Sequence, residues 1–328
     1  MRLAFIGGFG HHYLRPLAKE PAAQVALPVA WAPASPDDPG PARIAESAGE
    51  LKIFDDPIQM LDDYTPDVVS VGAMYGQNGT FIAEALQRGI DVVSDKPIAA
   101  KWEQLDRIRW LLQGTPRVLL TEFDFRSRPA FRAAREIVRS GRLGEPVLAT
   151  AQKSYRFGQR PDWYSDRAQY GGTMLWVASH AIDAIHFTTE RKFIRVTGRG
   201  GNVSVPSFGS MEDHCVALFE LSGGATGIVH ADYLRPASAP THGDDRLRVA
   251  GTQGVVEVRA GRCTFIGPEG EEDFTDRAQI APMHIELLAA LRAGDRDVYS
   301  TESSLELAAV LLHARDAADK QEWVSCDT

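Results

Sequence analysis

Short apolar runs alternate with amphipathic stretches over the first third of the chain. Residues 2–7 (RLAFIG) are apolar up to a glycine pair, as a buried first strand would be. QVALPVAWA (24–32) predicts a second strand, and ARIAESAG (42–49) a short helix that stops at glycine. DVVSVGA (67–73), announced by Thr65-Pro66, predicts a buried strand, and FIAEALQRG (81–89) a helix. DVVSD (91–95), WEQLDRIRWLL (102–112) and RVLLTEF (117–123) continue as strand, helix and strand. Strands separated by helical patterns of about ten to fifteen residues imply parallel βαβ units and a doubly wound sheet.

The rhythm changes near residue 125. PAFRAAREIVRSG (129–141) predicts a helix and PVLATAQKSY (146–155) a strand. After a glycine-opened helix at 170–183 come FIRVTGRG, HCVALFELSGG, ATGIVHADYL, RLRVAGTQG and VVEVRAGRCTFIG. Glycine-rich turns with little helix between these runs predict an antiparallel meander. Two helices, 281–293 and 302–317, finish the chain. The fold class expected is α/β: a doubly wound domain over 1–124, then an α+β domain with a mostly antiparallel sheet over 125–328.

Composition narrows the function. A formal charge of −9 opposes a nucleic-acid surface, which is built from clustered Lys and Arg. Cys215, Cys263 and Cys326 are scattered and lack CxxC spacing, so neither a disulfide framework nor a thiolate zinc site is indicated. His180, Asp183 and His186 share part of one helix face, but no further ligands are evident and no metal is expected. No run reaches membrane-spanning length, and the N-terminal apolar run is too short for a signal peptide. The expected location is a reducing cytoplasm.

Chemistry concentrates in three places. Gly7, Gly8 and Gly10 follow the first strand and precede an expected helix, where backbone amides can bind a pyrophosphate. The match to GxGxxG is poor, since Tyr13 fills the last glycine position counted from Gly8. His11 and His12 either border the cofactor phosphates or decorate the turn. The second place is GIDVVSDKP (89–97), a buried strand ending in Lys96 before Pro97, at the carboxyl end where doubly wound sheets bind ligands. The third is YGGTMLWVASHAID (170–183), which carries His180. A strand-end lysine and a helix histidine suit movement of a proton on and off a substrate hydroxyl.

With DKP at 95–97, GGT…H..D at 171–183 and RLRVAGTQGVVEV at 246–258, the chain resembles the Gfo/Idh/MocA oxidoreductases nearly end to end. The PDVVSV strand, the AL..G.DVVSDKP segment and the SGRLGEPV helix end belong to the same likeness. The resemblance implies an NAD(P)-dependent dehydrogenase or reductase of a sugar, cyclitol or related polyol, its site between the two domains. It also implies homodimers or homotetramers formed through the open sheet, with no nucleic-acid or membrane partner. Carried over, Lys96 contacts the substrate hydroxyl and His180 is the acid/base group. Asp95 replaces the usual Glu, and Asp183 also matches. Gly7, Gly8, Phe9, Gly10, His11 and His12, with Asp95 and Lys96, form the expected cofactor-binding set. The Lys96–Pro97 bond is expected to be cis.

Two positions depart from that pattern. The family places an aspartate four residues before the histidine, and here stands Trp176; its loop histidine after the DVVSVGA strand becomes Asn78. An indole can donate one hydrogen bond and accept none, so it cannot replace a carboxylate beside an imidazole. Trp176 either fills core or stacks on a sugar ring. Tyr155, Trp163, Arg156 and Tyr164, near the loop before the glycine-opened helix, either line the substrate pocket or serve surface and packing roles. NAD and NADP stay open, because AWAPASPDD offers no carboxylate before Asp37 while Ser35 and Arg43 suit a phosphate. Two other accounts compete: glycoside cleavage through transient oxidation by a retained NAD, and a non-catalytic nucleotide- or sugar-sensing relative.

Overall fold

A computed structural model of the chain describes residues 1–278 and 280–326. It divides into two compact units, Met1–Glu122 with Ala281–Ala308, and Phe123–Ile280 with Ala309–Thr328.

The first unit is built on six parallel strands: β1 (Arg2–Ile6), β2 (Ala26–Ala32), β3 (Leu51–Ile53), β4 (Val68–Val71), β5 (Asp91–Ser94) and β6 (Leu119–Thr121). Their order is β3-β2-β1-β4-β5-β6, with every pairing parallel. This is the doubly wound dinucleotide arrangement, with its switch point between β1 and β4. Helices α1 (Ala42–Ala48), α2 (Pro57–Tyr64), α3 (Asn78–Gln87) and α4 (Trp102–Leu112) connect the strands. The inner strands β1, β4 and β5, and β6, are buried on both faces, as their continuous apolar runs require, while β3 at the other edge is not.

The helix expected after the glycines is absent. Two short 3-10 helices, Arg15–Lys19 and Pro21–Ala23, stand in its place. Pro16 and Pro21 are the cause: each lacks an N–H, and a second proline five residues on clashes with a continuing α-helix.

The second unit starts with α5 (Pro129–Arg139) and β7 (Pro146–Arg156), followed by α6 (Arg167–Tyr170), α7 (Thr173–Trp176) and α8 (Ala178–Thr189). Strands β8 (Phe193–Gly201), β9 (His214–Leu221), β10 (Thr226–Arg235), β11 (Gly243–Gly251), β12 (Val255–Arg259), β13 (Arg262–Gly267), β14 (Gly270–Asp273) and β15 (Val324–Ser325) complete its sheet. The order β14-β13-β12-β11-β7-β10-β9-β8-β15 corrects the simple meander, because β7 inserts between β10 and β11 and runs parallel to β10. A strand from before the helices thus becomes the middle of the sheet. Helices α5 and α8 pack on that sheet, α8 over β7, β10 and β11, and α5 over β12 and β13.

The terminal helices are α9 (Met283–Ala293) and α10 (Thr301–Lys320). The 1–124 and 125–328 division needs correction here, since residues 281–308 join the first unit. Met283, Leu287 and Leu288 enter the core formed by Leu14, Leu17 and Phe5. Thr301 Oγ1 and Ser304 Oγ accept the N–H groups of Leu119 and Thr121 at 3.2 and 3.1 Å. An edge strand with unpaired amides needs such a cover, and the returning segment provides it. Among the described residues, no helix is long and apolar enough to cross a membrane.

Candidate active site

In the first unit the glycine turn after β1 lies against the loop after β4. Gly7 has φ +81°, and a Cβ there would sit 2.6 Å from Gly72 O. Gly10 is as tight, its Cβ position 2.8 Å from Gly72 Cα. The amides of Phe9 and Gly10 both donate to Gly72 O, at 3.1 and 2.9 Å. Gly8 N–H donates to Asp38 Oδ2 at 3.1 Å, and His11 N–H to Asp95 Oδ2 at 2.8 Å. The expected pyrophosphate amides are therefore engaged within the protein itself.

The two histidines separate. His12 is buried, with Nε2 2.9 Å from Gly7 O and Nδ1 2.8 Å from Ser70 Oγ. A carbonyl only accepts, so Nε2 carries the proton and Nδ1 accepts from the hydroxyl. Burial lowers its pKa to about 4, so His12 is a neutral pin that fixes the turn. His11 is half-exposed and faces Asp95, its Nδ1 3.1 Å from Oδ2. Beside it opens a cleft lined by Gly8, Gly10, His11, Arg15, Gly40 and Arg43. Two guanidinium groups over glycines that present no side chain fit the phosphates of a dinucleotide.

Lys96 sits at the carboxyl end of β5 and is 2% exposed. Its Nζ is 3.2 Å from Asp95 Oδ1, and the following bond to Pro97 is cis, as expected. Asp95 thus touches both the lysine and the glycine turn. Burial alone would raise its carboxyl, but the charges of Lys96 and His11 hold it well below the ordinary range. Asn78, at the start of α3, brackets the same turn: its amide donates to Asp95 O and Pro97 O, both at 3.2 Å, and its carbonyl accepts from Ala73 N–H. Glu122 accepts Tyr13 N–H at 2.8 Å, and burial next to the Asp95 charge raises its carboxyl well above the usual value.

In the second unit, His180 is buried on α8 with Nδ1 3.0 Å from Asp124 Oδ1. Asp124 belongs to a 3-10 turn, Asp124–Ser127, just beyond β6. Its other oxygen is held by Arg128, which reaches on to Asp245 Oδ2 at 2.6 Å. Asp245 Oδ1 in turn lies 2.8 Å from Nζ of Lys153, a lysine only 2% exposed on β7. Burial would raise Asp124, yet the charges of His180, Lys153 and Arg128 keep it well below the carboxylate range. Burial pushes the Lys153 ammonium down, against the pull of Asp124 and Asp245.

The remaining expected residues are spread around this cluster. Asp183 is fully buried and bound by Arg126, Nε at 2.9 Å and Nη2 at 2.5 Å, which commits its carboxylate to the fold. Trp176 is 7% exposed and packs as core. Tyr155 lies under Lys153 Nζ at 4.9 Å and 4.9 Å from the His242 ring. Trp163 sits 4.4 Å from Tyr164, which stacks on Tyr170.

Asp124, Lys153 and Asp245 do not stand out as functional in the sequence. Two signals point to them. Asp124 ends the TEFD run just as Lys96 ends VVSDK, both beyond a parallel strand's carboxyl end. Lys153 continues the inward-facing alternation Ala149, Ala151, Lys153 of β7, a buried register for a charge.

Similarity to known proteins agrees with this architecture. A family model described as "Oxidoreductase family, NAD-binding Rossmann fold" matches residues 1–123, and one described as "GFO/IDH/MocA C-terminal domain" matches residues 131–257. A solved structure from Thermotoga maritima, of a protein assigned as an oxidoreductase, is 31% identical with a TM-score of 0.93. That likeness covers 99% of this chain and 100% of the other. Scyllo-inositol 2-dehydrogenase (NAD(+)) of Bacillus subtilis (strain 168) is 24% identical over 66% of this chain and 62% of its own length. D-glucoside 3-dehydrogenase of Escherichia coli (strain K12) is 32% identical over 43% of this chain and 41% of its own. The chain therefore spans less than two thirds of the length of these curated relatives. The doubly wound first unit, the open second sheet and the end-to-end likeness agree: the chain belongs to the Gfo/Idh/MocA oxidoreductase family.

Proposed function

We propose that the protein is an NAD(P)-dependent oxidoreductase acting on a ring hydroxyl, or the matching carbonyl, of a sugar, cyclitol or related polyol. The observation that carries this reading is Lys96. It is a nearly inaccessible ammonium, held at a β5 end by Asp95, the same carboxylate that fixes the glycine turn. The names of the curated relatives, a cyclitol dehydrogenase and a glucoside dehydrogenase, support the substrate class.

Arg15, Arg43 and the bare glycine floor would hold the dinucleotide phosphates, with NAD and NADP both admitted by that lining. When bound, the nicotinamide supplies the hydride acceptor or donor. In oxidation, His180 takes the hydroxyl proton while Lys96 stabilises the negative charge developing on oxygen. A fixed positive charge at that oxygen is the larger effect, because it needs no reorganisation as the reaction proceeds. The same reading places the enzyme in the cytoplasm, where its three buried cysteine thiols stay reduced. Copies would associate through the open sheet of the second unit.

The test begins with fluorescence titration of NADH and NADPH, then a screen of sugars and cyclitols at the nicotinamide absorbance. On the best substrate, Lys96→Ala should lower kcat/KM by about 10²–10³-fold. An Ala variant as fast as wild type on that substrate removes Lys96 from the mechanism. Nucleotide binding without turnover on any polyol supports a sensing protein instead.

A further inference from the structure

Position 176, one helical turn before His180, is a buried tryptophan that cannot accept a proton or balance an imidazolium. On the same helix, Asp183 is already taken by Arg126. We propose that Asp124 is the positioning carboxylate of His180, delivered from the turn after β6 and not from the histidine's own helix. The proposal rests on the reading of His180 as the proton-transfer group.

Geometry carries it. Asp124 Oδ1 stands 3.0 Å from His180 Nδ1, and its Oδ2 is held by Arg128, so the carboxylate is fixed from its far side. Arg128 is anchored by Asp245 at 2.6 Å, and Asp245 by Lys153 at 2.8 Å. The Phe125 ring lies 5.3 Å from the imidazole, and Lys153 Nζ stands 4.4 Å from that same ring. Charged groups linked to this contact are Arg128 and, through it, Asp245 of β11 and Lys153 of β7, with the Arg126–Asp183 pair joining the same turn to α8.

This order assigns the two ring nitrogens. The Asp124 charge, 3.0 Å from Nδ1, favours the proton on that nitrogen and leaves Nε2 to accept one from substrate. When Nε2 is protonated, the imidazolium charge is met by a carboxylate already in place. Asp124 thus touches neither substrate nor cofactor and acts through His180.

The imidazole titration of His180 tests this in the full-length protein by NMR, with its signal assigned by loss in His180→Asn. Its midpoint is compared between wild type and the variants. In Asp124→Asn it should fall by about one unit or more. The acid limb of kcat/KM for oxidation should move down with it, and kcat should fall by about 10²-fold. Asp124→Glu, which keeps the charge, should retain the wild-type midpoint and most of the rate. A folded Asn variant with unchanged titration and rate overturns the proposal. Should no polyol turn over while the Asn variant still shifts the titration, the functional reading fails and the pairing stands.

Discussion

His12 illustrates how a residue that reads as site chemistry can turn out to be a structural pin. It lies next to the glycine turn, where a histidine suggests phosphate contact, yet both ring nitrogens are used by Gly7 O and Ser70 Oγ. Nothing local in HHY distinguishes His11 from His12; the difference arises because β4 brings Ser70 beneath only one of them. Its titration makes a stability prediction. The folded pKa, about 4, lies below the unfolded value, so protonation favours the unfolded chain. The contribution is fully present above about pH 6.5 and is lost as pH falls toward 4, a span of roughly 3 kcal/mol. His186, also lowered to about 4, acts in the same direction. Urea unfolding from pH 7 to pH 4 should show wild type losing stability through this window. His12→Gln should start less stable at pH 7 and fall less steeply. Parallel slopes for the two proteins would show that His12 is not buried neutral.

At the level of elements, strands and helices with clean periodicity were legible, and pairings set by distant segments were not. Residues 102–112 read as a helix and form one with the same bounds, because Leu105 and Ile108 repeat on one face. Residues 51–53 and 57–64, a short strand and a helix opened by an Asp56 cap, passed unread because each is too short to show a period. The 3-10 turn Asp124–Ser127 is the element on which the second half-site depends, and it is docked on α8 by the Arg126–Asp183 ion pair. Both partners are buried, so removing one leaves a charge without its counter-ion, which costs about 3–5 kcal/mol. Asp183→Ala should therefore lower unfolding free energy by that amount. Arg126→Met with Asp183→Leu should recover most of it, since two apolar groups leave no stranded charge. Activity should stay low in both, because the turn that presents Asp124 has lost its directional anchor. A double variant no more stable than Asp183→Ala would argue that the pair is not what fixes the turn.

For the whole molecule, local pattern reads the alternation of βα units well but carries no information on which later segment returns to an earlier one. Hence the doubly wound unit was legible through β6, while the return of 281–308 to cover its edge, and the insertion of β7 into the later sheet, were not. One molecular property does follow from sheet pattern. In β9 and β10 the inward positions Ala217, Phe219, Val229 and Ala231 are buried, as expected of the face on which α7 and α8 pack. The opposite face should then be polar. Instead it carries Val216, Leu218 and Ile228, at 46%, 37% and 38% exposure, with Leu218 and Ile228 directly paired across the strands. Burying one such side chain stabilises by about 1.5–3 kcal/mol, and a two-fold interface counts each substitution twice. Under the association proposed through the open sheet, Leu218→Asp should weaken self-association by about 10²-fold or more, visible by light scattering on a sizing column as a shift toward monomer. The core of each unit lies on other faces, so thermal unfolding of the monomeric variant should stay cooperative. A wild-type protein already monomeric at tens of micromolar would mean that this apolar face serves something other than a second copy of the chain.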